Sequence, residues 1–103
     1  MRARLEALLE QHPDRADLHL ALAQVCLRDK DPVAAARHAE TAAVMQAHYS
    51  AALLLAGRAW QAAGDAQAAR EWLQRALDAA RSQGDKQVER QADVFIKRLD
   101  AQA

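Results

Sequence analysis

The feature that most narrows what this chain can fold into is a recurrence of matching residues every 34 positions. Asp31 and Asp65, Ala35 and Ala69, Ala42 and Ala76, and Cys26 and Trp60 are each separated by that interval, and Pro13 stands the same distance before Ala47. A period in the range of roughly 20–50 residues means one supersecondary unit per period, stacked on its neighbours, because a single unit cannot bury its apolar face alone. With 103 residues the chain accommodates two complete periods and a flanking half at each end. That is one small domain with one modest core.

Each unit is a pair of helices. The chain contains 27 alanines, five valines, one isoleucine, one threonine, three glycines and two prolines, and only 4% aromatics. Such a composition favours helix throughout and excludes strands. Breakers divide it into six helical stretches. His12-Pro13-Asp14 ends the first, with Asp14 as the expected N-cap of the second and Asp17 in its first turn. Asp31 caps a helix that carries Pro32 at its first position. Gly64-Asp65 and Gly84-Asp85 each supply a left-handed helix end followed by a capping carboxylate. A softer break falls between Ala47 and Ser50.

On these residues the chain resembles the tetratricopeptide repeat family. Residues 50–83 resemble one complete repeat, with small Ala56-Gly57, aromatic Trp60, the Gly64-Asp65 turn, and then Ala69, Leu73 and Ala76. Residues 16–49 resemble a divergent copy carrying Leu22-Ala23, Cys26, Asp31, Ala35, Ala39 and Ala42, with Lys30 where the turn glycine stands. Residues 1–13, with Leu5, Leu8, Leu9 and Pro13, resemble the second helix of a preceding repeat, and residues 85–100 a C-terminal capping helix. The resemblance implies an all-α, right-handed α-α superhelix of two full repeats between two capping helices. The closing Gly-Asp-x-Gln-Val…Phe-Ile-x-Arg-Leu helix is similar to that of small stand-alone bacterial members of the family, which implies no defined activity. Helical spacing predicts a core of Leu18, Leu22, Val25 and Cys26; Leu53, Ala56 and Trp60; Leu73 and Leu77; and Val88, Ala92, Phe95 and Leu99. Trp60 is expected to contribute most, and Ala23, Ala35, Ala56, Gly57, Ala69 and Ala76 to let helices approach closely.

The resemblance further implies that the first helix of each repeat lines a concave groove. The positions facing it are Leu20, Gln24 and Leu27, then Leu54, Leu55, Arg58 and Gln61, then Glu89 with Lys86 and Arg90. Leu20, Leu27 and Leu54 exceed what the core stripe needs. Three arrangements account for them: a seat for an apolar peptide or helix anchored by Arg58, cover by the terminal helices, or contact with a second copy of the chain. Some family members clamp a chaperone's C-terminal carboxylate. The corresponding residues here are Leu20, Gln24, Leu55, Lys86 and Arg90, of which only the last two match, and the apolar pattern favours a one-residue slip that aligns Val88, Ala92 and Phe95 with Leu53, Gly57 and Trp60. A clamp of that kind is not expected.

Other functions find no residues to carry them. Fourteen basic and fourteen acidic side chains cancel, against the basic excess of a nucleic-acid binder. His12, His19, His38 and His48 form no i,i+4 pair and have no Cys-x-x-Cys beside them, so no metal is expected. His38 shares its frame position with Trp72, which points to half-buried packing. Cys26, alone, occupies the core slot of Trp60 and reads as a small hydrophobe. No catalytic constellation, phosphate loop or cofactor motif occurs. The N-terminal stretch is broken by Glu6 and Glu10 before an apolar run develops, and the longest such run, Ala51 to Gly57, falls far short of a membrane span. The expectation is a cytoplasmic, non-catalytic module that binds a protein or peptide partner without nucleic acid or membrane, as a monomer or weak homodimer; the alternative is a homo-oligomerising scaffold using the same apolar surface.

Overall fold

The computed structural model describes residues 1–102 and arranges them as six helices: α1 (Arg2–Gln11), α2 (Ala16–Arg28), α3 (Pro32–Met45), α4 (Ser50–Ala62), α5 (Ala66–Gln83) and α6 (Lys86–Gln102). There is no strand among the described residues. Helices α2 and α4 begin 34 residues apart, as do α3 and α5.

The recurring aspartates punctuate the chain in two ways. The backbone N–H groups of Asp31, Asp65 and Asp85 donate to the carbonyls of Cys26, Trp60 and Ala80 at 2.8, 3.0 and 2.8 Å. This closes one helix in the manner of a Schellman motif. Each side chain then opens the next helix, accepting from the N–H of Ala34, Ala68 and Val88 respectively. The closure requires a left-handed residue just before the aspartate, and Lys30 (φ 61°), Gly64 (φ 86°) and Gly84 (φ 73°) provide it. Two of the carboxylates also reach back across the fold. Asp31 accepts from Arg2 at 3.1 Å and Asp85 from the Ser50 hydroxyl at 2.9 Å, pinning the starts of α1 and α4. At α2 the expected cap is not used. Arg15 is the N-cap residue, without a side-chain bond, because the Arg15 N–H turns back onto the His12 carbonyl and leaves Asp14 outside the helix.

Each helix packs on the next in sequence, while α4 also touches both α2 and α6; α3 and α5 do not meet. The α2/α4/α6 row is therefore drawn together while the α3/α5 side fans out. The molecule curves toward the row.

Inside the stack the two repeats exchange volume between paired positions. A Cβ on Gly57 would lie 2.6 Å from the Leu73 side chain and 3.1 Å from its backbone nitrogen. The frame equivalents in the first repeat are Ala23 and Ala39, both fully buried. One pair is thus glycine with leucine, the other alanine with alanine. Similarly, Leu53 and Trp72 of the second repeat correspond to His19 and His38. Their Nδ1 atoms lie 3.3 Å apart, and His19 Nε2 lies 3.3 Å from the Pro13 carbonyl. Donation from His19 Nε2 to that carbonyl leaves its Nδ1 to accept from His38, so both rings are satisfied when neutral.

Two expected core members sit at the surface of the core. Trp60 is half-buried, because its indole Nε1–H donates to the Glu40 carboxylate at the rim, and its ring bridges two apolar clusters. Phe95 is also half-buried, for a reason found in the groove below. Leu22, Cys26, Ala35, Ala56, Ala69, Leu73 and Ala76 are buried. Burial pushes the Cys26 thiol above its ordinary pKa, disfavouring thiolate.

Candidate concave binding face

Helix α4 is the central element, with α2, α3, α5 and α6 all against it. That position explains the fate of the surplus leucines. Leu54 and Leu55 are each 6% exposed and pack into the core clusters while still lining the hollows of the curved face, so the surplus Leu54 does not stand free. A helix enclosed on several sides widens its apolar stripe to most of its circumference, and eight of the thirteen residues of α4 are buried. Leu20 is half-buried over Ala23, Ala39, Leu55 and Ala56, and Leu27 is half-buried at the edge of the same cluster.

What the curved face offers is shallow and continuous. Gln24, Leu27, Arg28, Leu55 and Arg58 line one hollow. Ala51, Leu54, Gln87, Val88 and Gln91 extend it along α4 and α6. Gln61, Ala62, Phe95, Arg98 and Gln102 extend it toward the helix ends. Arg58 borders all three and is exposed. Its guanidinium carbon sits 5.3 Å from the centre of the Phe95 ring, and that of Arg98 lies 5.1 Å away. Phe95 is thus held half out of the core as a platform for two cations.

Of the positions expected to face the groove, Gln24, Leu27, Leu54, Leu55, Arg58 and Gln61 are brought together there. Leu20 is not among the lining residues. Lys86, Glu89 and Arg90 are also absent from it; with Arg81 and Asp93 they border a separate hollow, where the Glu89 carboxylate meets Arg81 at 3.4 Å and Lys86 at 3.7 Å. The cause is a change of register. Helix α6 begins 36 residues after α4 (Ser50 and Lys86), two more than the strict frame and one more than the expected slip. Two residues rotate a helix by about 200°, and Gln87 and Gln91, not Glu89, line the hollow with Ala51 and Leu55. Arg28, Gln87, Gln91, Phe95 and Arg98 were not expected there. Only the longer α5, whose end no breaker before Gly84 marks, carried the signal.

Among the described residues no three or more His, Cys, Asp or Glu side chains gather to hold a metal ion, and no helix is long and apolar enough to cross a membrane. His38, half-buried against His19, has its pKa pushed down by burial and by the neighbouring ring.

No family model matches this sequence. It is 38% identical over 96 residues to the TPR repeat-containing protein PA0015 of Pseudomonas aeruginosa, a match spanning 93% of this chain and 91% of that protein. The solution structure of protein BPP2914 from Bordetella parapertussis is similar at a TM-score of 0.84 and 33% sequence identity, covering 99% of this chain and 89% of that one. With that identity maintained along nearly its whole length, and with paired helices repeating every 34 residues, the chain belongs to the tetratricopeptide repeat family.

Proposed function

We propose that the protein is a non-catalytic interaction module that holds an extended peptide or a helix of a partner protein against its concave face. The observation that carries this reading is the row of side chains on α2, α4 and α6 that curve toward a common space: Gln24, Leu27, Arg58, Gln91, Phe95 and Arg98. Polar amides and guanidiniums over a partly apolar floor suit a backbone with alternating side chains. With only two repeats the face is short, and the complex is expected at roughly micromolar strength.

The test replaces half-buried Leu27 by Ser and exposed Gln91 by Glu, leaving the enclosed Leu54 and Leu55 alone. Helicity should be retained while capture of the partner from native lysate is lost. Capture unchanged by both substitutions contradicts the reading.

A second reading has its own observation. Val44 is 81% exposed and Met45 41%, at the end of α3, beside a hollow lined by Ala43, Ala47, His48 and Leu53. Self-association through that corner predicts a sedimentation coefficient that rises with concentration and ceases to do so in Val44→Ser.

A further inference from the structure

We infer that the partner segment is acidic, with an aliphatic or aromatic side chain flanked by Asp or Glu, its carboxylates received by Arg28, Arg58 and Arg98. This rests on the concave-face reading and adds the chemistry of the ligand. The chain has as many acidic residues as basic ones, yet their distribution is not even. The concave face carries three arginines, five glutamines and no aspartate or glutamate. On the remaining surface acidic and basic side chains are mixed: Arg2 pairs with Asp31, Arg15 with Asp17, Arg70 with Asp100 and Arg81 with Glu89, while Arg4, Arg37, Arg75 and Arg90 carry no such pair but share that surface with all fourteen Asp and Glu residues. Arg28, Arg58 and Arg98 have no carboxylate within ion-pair distance among the described residues.

Geometry adds to charge. Arg58 and Arg98 share the Phe95 ring, a contact that restrains a guanidinium and leaves its N–H edge free for a carboxylate. Neighbouring Leu27, Leu55 and Ala62 keep water away from one side of the site, which strengthens such a bond. The same apolar floor requires a ligand with an apolar side chain between its charges. The glutamines are neutral, can donate to and accept from a peptide backbone, and repel no anion. A nucleic-acid backbone fits less well, because three cations neutralise few phosphates and the rest of a chain with no net charge offers no basic surface to continue the contact.

The experiment is selection from a random-peptide display library against the intact protein, in parallel with Arg58→Gln/Arg98→Gln and with Leu27→Ser. Both arginines are exposed, so helicity and melting temperature should be close to the parent. Arg58→Lys/Arg98→Lys controls for loss of packing on Phe95. Enriched peptides should carry Asp or Glu beside Leu, Ile or Phe, and binding of a labelled winner should weaken roughly tenfold per arginine replaced by glutamine, be largely retained with lysine, and fall with added salt. Enriched peptides without an acidic excess, bound equally by the glutamine variant but lost in Leu27→Ser, would overturn the inference and leave the concave-face reading standing. No enrichment against the parent would overturn both. Displacement of the winner by a single-stranded oligonucleotide at lower concentration than by the unlabelled peptide would also overturn it.

Discussion

Lys30 occupies a left-handed backbone conformation (φ 61°) where the following repeat places Gly64 at φ 86°. A side chain in that region raises the energy of the folded state by about 1 kcal/mol relative to glycine. Lys30→Gly should therefore stabilise the domain by about 1 kcal/mol and raise its melting temperature by about 4–8 °C; an unchanged or lowered midpoint in calorimetry would contradict this. The second residue-scale claim concerns the exchange of volume at Gly57 and Leu73. Gly57→Ala should destabilise by about 1–3 kcal/mol through overpacking, and Leu73→Ala by about 2–5 kcal/mol through the cavity it leaves. In the double variant the added methyl enters the vacated space, as Ala23 and Ala39 share theirs. Denaturant titration should give a double variant more stable than the summed single effects by at least about 1 kcal/mol; additivity within about 0.5 kcal/mol would contradict it. The sequence already displayed Gly57 as a small residue at a packing position. It did not display the partner, because Ala39 and Leu73 differ in size and only the fold places each against its opposite number.

At the scale of elements, the α2–α3 hairpin differs from α4–α5 by holding two imidazoles where the other holds leucine and tryptophan. His38 faces His19 of α2, with Arg2 and Glu6 of α1 close enough to act on its charge. Burial and the neighbouring ring depress its pKa below the unfolded value. The unfolded chain therefore binds more protons than the folded one once pH falls to the ordinary histidine range, so this contribution is fully present above about pH 6.5 and is lost as pH falls through the folded pKa. Thermal midpoints should decline from pH 7 to pH 5 more steeply in the parent than in His38→Phe; parallel declines would contradict the assignment. Helix boundaries were largely legible because Asp31, Asp65 and Asp85 mark both an end and a beginning. The start of α2 was not, since Asp14 lies outside the helix after the His12–Arg15 turn. The groove-facing positions of α6 are less legible, because α5 runs four residues longer than α3 while the link before α6 is two residues shorter than the link before α4. Constant period is a property of α2 through α5, and α6 follows a different one.

For the whole molecule, curvature follows from which helices touch. The α2/α4/α6 row is in contact and α3 and α5 are apart, which turns a stack into a face with an inside. Small residues recurring at 34 positions made that stack legible in the sequence, as did Gln24, Leu27, Arg58 and Gln61 on its inner side. The enclosure of α4 is not legible, since a central helix and an outer one can carry the same apolar spacing, and so the sequence does not show that Leu54 and Leu55, which line the face, are mostly buried beneath it. The central claim is that recognition takes place on the curved face at its unpaired arginines. Its most direct test is chemical-shift mapping of the isotope-labelled protein during titration with an acidic peptide obtained from the display selection. The largest changes are predicted at the backbone amides of Gln24, Leu27, Leu55 and Gln91 and at the guanidinium Nε–H of Arg58 and Arg98. Changes centred on Val44, Met45 and Ala47, or on Arg81 and Lys86, would contradict it.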